Sequence, residues 1–131
     1  MNQAVIALGS NIEPRRNIDA ALRRLAAEQK LLGQSRFEMT APLGRTDQPA
    51  FLNGAALIET PLDRPKLKEW LRGVEADLGR VRSADKDGPR TIDLDIVVFN
   101  GGIVDPQVYE RGFLRRAVAE LCPALPLGEQ N

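Results

Sequence analysis

Two aspartates one residue apart, Asp93 and Asp95, interrupt a segment that otherwise reads as a buried strand, TIDLDIVVF (Thr91–Phe99). Residues i and i+2 of a strand share a face, so the two carboxylates stand side by side, with Cα atoms roughly 6–7 Å apart. Like charges on one face of an apolar strand are costly unless something neutralises them, and a divalent cation is the simplest candidate. The polar, turn-prone run just before them, Gly79–Arg90, carries Arg80, Arg82, Lys86 and Arg90. Arginine forks suit phosphate oxygens and paired carboxylates suit Mg²⁺, so the combination points to chemistry on a Mg-polyphosphate. A solvated D-x-D beside an ordinary basic loop is the competing reading.

Composition narrows the options. The chain has 131 residues, enough for one domain (1–131) with a real core. Lys+Arg and Asp+Glu are 18 each, so net charge argues for neither a nucleic-acid nor a membrane partner. Histidine is absent, which removes His-based triads, His general bases and His-ligated zinc. The single cysteine, Cys122, excludes an internal disulfide. With no signal peptide or long apolar run, a reducing cytoplasmic setting is expected. Catalysis must run on carboxylates, Arg, Lys, hydroxyls and bound metal.

The elements that must position these residues follow from pattern. Gln3–Leu8 reads as a first buried strand, broken by Gly9-Ser10-Asn11. Ile18, Ala21, Leu22 and Leu25 form an amphipathic stripe for a helix from Pro14 to about Gln29, with Gly33 ending that region. Gln34–Met39 is expected as a second strand and Thr40–Ala50, with Pro42, Gly44 and Pro49, as a substrate-binding loop. Phe51–Thr60 is the clearest strand, with Phe51, Asn53, Ala55 and Leu57 on one face and Leu52, Ala56 and Ile58 on the other. Asp63 or Pro65 opens a second helix whose stripe is Leu67, Leu71, Val74 and Leu78, stopped at Gly79. Glu75 lies beside that stripe. After the aspartate strand come a hairpin at Gly101–Val104, a short helix over Leu114–Leu121 and a loose tail from Ala124. This β-α-β-β-α-β order predicts an α+β ferredoxin-like sandwich with a mostly antiparallel sheet, helices on one face, and a short C-terminal hairpin and helix. The open face would take the ligand.

Four blocks carry a resemblance: ALGSN (Ala7–Asn11), T-x-P-x-G with DQPAFLN (Thr40–Asn53), E-x-x-x-G-R-x-R (Glu75–Arg82) and GPRTIDLDIVVF (Gly88–Phe99). In this order and spacing the chain resembles the 6-hydroxymethyl-7,8-dihydropterin pyrophosphokinase family of folate biosynthesis. The resemblance implies transfer of pyrophosphate from ATP to the pterin hydroxymethyl oxygen, leaving AMP. It implies two Mg²⁺ ions on Asp93 and Asp95, and phosphate-contacting, catalytic roles for Arg80, Arg82 and Arg90. It implies nucleotide contacts for Glu75, Arg90 and Arg111, and a pterin pocket of Thr40, Leu43, Phe51 and Asn53, with Phe113 on the other face of the ring. The partners implied are those two small molecules, and the expected state is a monomer or weak dimer. The chain departs from the family pattern in lacking the proline–histidine motif before the final R-x-F, and in having Asp87 where the basic loop often carries tryptophan. These departures keep open a pterin- or nucleotide-binding paralogue without turnover. The D-x-D alone would also suit a Mg-dependent nucleotidyl transferase.

Overall fold

The structure, a computed structural model, describes residues 1–41, 47–80 and 91–127. Five strands follow one another across one sheet in the order β2–β4–β1–β5–β6, and β3 adds a further pairing to β4. The elements are β1 (Asn2–Ser10), α1 (Pro14–Glu28), β2 (Lys30–Gln34), β3 (Glu38–Thr40), β4 (Phe51–Thr60), α2 (Arg64–Asp77), β5 (Asp93–Phe99), β6 (Gly102–Ile103), α3 (Gln107–Glu110) and α4 (Gly112–Leu121). Every pairing is antiparallel. The order β2–β4–β1–β5 is that of a ferredoxin-like α+β sheet.

Sequence pattern and structure agree best at α2 and β4. Asp63 caps α2, its carboxylate accepting from Lys66 N at 2.9 Å, and Leu67, Leu71 and Val74 are fully buried. Each such side chain contributes about 2 kcal/mol by leaving water. With Ile18, Ala21 and Leu25 of α1, they cover the sheet face formed by Ala4, Ile6, Leu8, Leu52, Ala56, Ile58 and Leu94. The hairpin closes through Asn100–Gly101, and the Asn100 side chain accepts from Gln3 N at 2.8 Å.

Three expectations are corrected. The second strand is not Gln34–Met39: α1 stops at Glu28, Gly33 lies within β2, and the chain breaks between β2 and β3. The break has a packing cause. The Phe37 ring lies flat against Gly54 of β4, where an added Cβ would stand 2.5 Å from the ring. Ser35 bridges the gap, its backbone N–H donating to Ala55 O and its hydroxyl accepting from Ala55 N, both at 2.9 Å.

Second, helices occupy both faces: α4 places Leu114, Ala117 and Val118 against Val5, Ala55 and Val97 on the opposite side. The open face is therefore only the end that α4 leaves uncovered. Third, the tail is held as far as Leu127. Leu125 and Leu127 pack on this second cluster, and Arg115 Nη2 donates to Leu127 O at 2.6 Å. Pro123–Pro126 thus runs back beside Gln3 and Ala4 of β1, across a mostly apolar cavity. Among the described residues no helix is long and apolar enough to cross a membrane.

Gly54→Ala should cost about 1–3 kcal/mol, because the new methyl group must displace the Phe37 ring within a packed interface. Thermal unfolding checks this: the melting temperature should fall by several degrees, whereas the exposed Gly73, with open space around its Cβ position, should accept Ala without loss.

Candidate active site

Register builds the site. On one side of β1, Gly9 is opposite Asn53 and Ala7 is opposite Ala55; on the other, Gly9 is opposite Asp93 and Ala7 is opposite Asp95. Two cross-strand rows result, Asn53–Gly9–Asp93 and Ala55–Ala7–Asp95, on the face that α4 partly covers. Directly opposed residues share a face, so the functional side chains at the row ends rise above a floor of small residues. Gly9 is required in that floor: an added Cβ would lie 2.5 Å from Asn53 Oδ1. Farther along β5, Val97 is an extra residue opposite the Val5–Ile6 step.

Above the floor is a small cavity whose walls include Asn53, Asp93, Asp95, Asp105, Arg111 and Phe113. Five of the expected site residues, drawn from β4, β5 and the start of α4, therefore meet in one place. Thr40 stands behind Asn53, its Oγ accepting from Asn53 Nδ2 at 2.6 Å, which fixes the direction of the amide. Phe51 is paired with Thr40 and lies two residues from Asn53 on the same strand face, but outside the cavity wall. Leu43, Arg82 and Arg90 lie outside the described residues, as do Lys86 and Asp87.

The acidic end is held from behind by Glu75, only 1% exposed. Its carboxylate accepts from Leu94 N at 2.8 Å, from Arg80 Nη1 at 2.9 Å and from Arg72 Nη1 at 3.0 and 3.2 Å. Arg80 also donates to Asp93 Oδ1 at 2.8 Å and to Ile92 O at 3.2 Å. Arg72 Nη2 reaches to 4.0 Å from Asp95 Oδ1. Asp95, Arg72, Glu75, Arg80 and Asp93 thus alternate in charge along a line joining α2 to β5. The guanidiniums lower the cost of the buried carboxylate, and the backbone N–H satisfies a further lone pair.

The Asp95 carboxyl is pushed up to about 6, first by burial and next by the neighbouring Asp93 charge, with Arg72 opposing. Among the described residues no group of three or more acidic or sulfur ligands is gathered closely enough to cage a metal. The donor set instead fits Mg²⁺, which is held by one or two carboxylates and completes its shell with water and substrate phosphates.

Ser10 and Asn11 were not anticipated as site-organising residues. Ser10 Oγ donates to Thr91 O at 2.6 Å, while Asn11 Nδ2 donates to Gln48 Oε1 at 2.7 Å and to Pro49 O at 3.2 Å. The last residue of β1 and the one after it thereby anchor the chain just ahead of β5 and just ahead of β4. Asp105 and Gln107 also line the cavity, and Asp105 Oδ1 accepts from Gln107 N at 3.0 Å. Their only sequence signal is an Asp-Pro step before a short helix.

With this geometry established, similarity to known proteins identifies the class. The family model described as 7,8-dihydro-6-hydroxymethylpterin-pyrophosphokinase (HPPK) matches residues 5–123. The chain belongs to this family. It is 39% identical to the 2-amino-4-hydroxy-6-hydroxymethyldihydropteridine pyrophosphokinase of Pseudomonas aeruginosa, over 97% of the chain and 85% of that protein. To the protein of the same name from Bacillus subtilis it is 41% identical, over 92% of the chain and 78% of that protein. It is also 36% identical to the folic acid synthesis protein fol1 of Pneumocystis carinii, where 92% of the chain matches 18% of the longer polypeptide.

Two outcomes are expected. Because the folded-state value of Asp95 is raised above its unfolded value, its stabilising contribution is complete below about pH 4 and is lost as pH rises through about 6. Asp95→Asn should therefore stabilise the metal-free protein near neutral pH and flatten that part of its stability–pH profile. The side chain is 39% exposed and water screens part of the penalty, so the gain should be on the order of 1 kcal/mol. Denaturant unfolding at several pH values measures it. Glu75→Ala should cost about 2–4 kcal/mol in the same assay, because it leaves Leu94 N–H without its acceptor and removes the carboxylate that Arg80 and Arg72 share.

Proposed function

We propose that this chain transfers pyrophosphate from ATP to 6-hydroxymethyl-7,8-dihydropterin, giving AMP and the pterin pyrophosphate, a step of folate biosynthesis. The observation that carries the reading is the convergence of Asn53, Asp93, Asp95, Arg111 and Phe113 on one cavity in a member of this family. The hydroxymethyl oxygen attacks the β-phosphorus of ATP, the bond from that phosphorus to the oxygen bridging the α-phosphate breaks, AMP departs, and the hydroxyl proton leaves to solvent. Such a transfer asks little covalent chemistry of the protein, so positioning and charge stabilisation carry the rate.

Asn53, held by Thr40, reads the polar edge of the pterin through its amide, and Phe113 packs on the flat ring. Phe51 would take the second face. Asp93 and Asp95 would hold Mg²⁺, which supplies charge neutralisation on the triphosphate and a template for in-line attack. Arg80 keeps Asp93 oriented while Glu75 keeps Arg80 and Leu94 in place, so Glu75 acts as a positioning group rather than a direct nucleotide contact. Arg111 on the cavity wall bears on the triphosphate, together with Arg82 and Arg90 from the basic segment. This chemistry needs no histidine.

Incubating the protein with MgATP and hydroxymethyldihydropterin should release AMP and form the pterin pyrophosphate. Pyrophosphate release instead would indicate nucleotidyl transfer, and tight pterin binding without AMP would indicate a binding protein. Asp95→Ala should reduce kcat at least ~10³-fold while the fold persists. Asn53→Ala should weaken pterin binding, read by fluorescence titration, by roughly 10-fold or more, as expected for a lost buried hydrogen-bonding group.

A further inference from the structure

Arg72 belongs to no motif of the family signature, yet it links Glu75 to Asp95 as Arg80 links Glu75 to Asp93. One guanidinium nitrogen is bound to both oxygens of buried Glu75, at 3.0 and 3.2 Å. The other approaches Asp95 only to 4.0 Å, at the outer limit of an ion pair. Asp93, by contrast, is gripped by Arg80 at 2.8 Å. The two aspartates are therefore held unequally: Asp93 by a short charge-assisted bond, Asp95 by a long contact that costs little to exchange. Arg72 is also the better placed of the two arginines to move, its side chain being 35% exposed against 12% for Arg80. It faces a cleft between α2 and β5 that Arg64 and Lys68 line as well, two and one helical turns back at i−8 and i−4, along with the carboxylates Asp95 and Asp105. Neither of those cations has an ion-pair partner among the described residues, so beside Asp95 and Asp105 the cleft offers anionic groups of a ligand two cations, and a third in Arg72 once it is released.

Resting on the assignment of Asp93 and Asp95 to the metal, we propose that Arg72 is a positioning residue that serves as a resident counter-cation. It neutralises Glu75 and Asp95 when no metal is bound, and it releases Asp95 when a divalent cation arrives. Arg72 and the incoming cation are like charges competing for one carboxylate, so they oppose each other's occupancy, and by linkage the opposition is mutual. Nucleotide-free protein then binds a dication weakly. The metal enters best with its polyphosphate, whose negative charge gives the released guanidinium a new partner in the Arg64–Lys68 cleft.

The test measures Mn²⁺ binding by electron paramagnetic resonance of the free ion, with no nucleotide or pterin present, so turnover does not enter. Arg72→Gln should bind Mn²⁺ roughly 5- to 10-fold more tightly than the parent protein, since a repelling charge has been removed. Its metal-free form should melt lower and its melting temperature should rise further on saturation with Mn²⁺. Arg72→Lys, which keeps the charge, should stay within about 2-fold of the parent. If Arg72→Gln does not fold, Arg72→Met serves in its place, keeping the aliphatic stem without the charge. Unchanged or weaker Mn²⁺ binding in a folded neutral variant would overturn the inference alone. No Mn²⁺ binding by parent and variant alike would overturn the metal assignment, and the inference with it.

Discussion

The buried carboxylate of Glu75 is the interaction on which the rest of the structure depends. A carboxylate taken out of water without compensation costs several kcal/mol, and here compensation comes from three directions at once. One is the backbone of β5, one is the arginine that follows the C-terminal turn of α2, and one is an arginine on α2 itself. Helix and strand are thereby pinned at a single point, next to the residues that carry negative charge into the cavity. The attachment of α2 to the sheet and the charge balance of the site are the same set of bonds. Disturbing either disturbs both.

A second constraint is steric. The functional groups rise from rows whose middle members, Gly9 and Ala7, are nearly bare backbone. Larger residues there would fill the cavity and push Asn53 away from Thr40. β1 therefore contributes by what it lacks, and by the side chains of Ser10 and Asn11 at its end, which hold the chain ahead of both neighbouring strands. For a reaction governed by positioning, a stiff three-strand floor with short polar tethers at its rim is the appropriate device.

Much of this was legible in the sequence. The Leu67–Leu71–Val74 stripe, the Asp63 cap, the extent of Phe51–Thr60 and the shared face of Asp93 and Asp95 follow from periodicity and capping alone, because local geometry dictates them. What escaped depends on contacts between distant segments. Gly33 read as a helix stop because nothing nearby revealed that β4 would pair with it. The Phe37–Gly54 contact that breaks the second strand joins residues 17 apart in the chain. Glu75 lies beside the apolar stripe, where exposure and burial are both open to a glutamate; only the position of Arg80 and the Leu94 N–H decides between them. Arg72 had no signal at all, and the tail, rich in proline, gave no hint that Leu125 and Leu127 would find a second core.

The way that tail is packed has a topological consequence. The chain enters the sheet at Gln3 and Ala4, and its last described turns, Ala124–Pro126, lie across one cavity from those same residues. The start of β1 and the last described residues are therefore neighbours, at the opposite end of β1 from Ser10 and Asn11. A unit with that property can be spliced into a longer polypeptide without parting any of its strands, since only its two adjacent ends need joining to flanking sequence. The stretch of fol1 that matches 92% of the chain makes up 18% of that longer polypeptide.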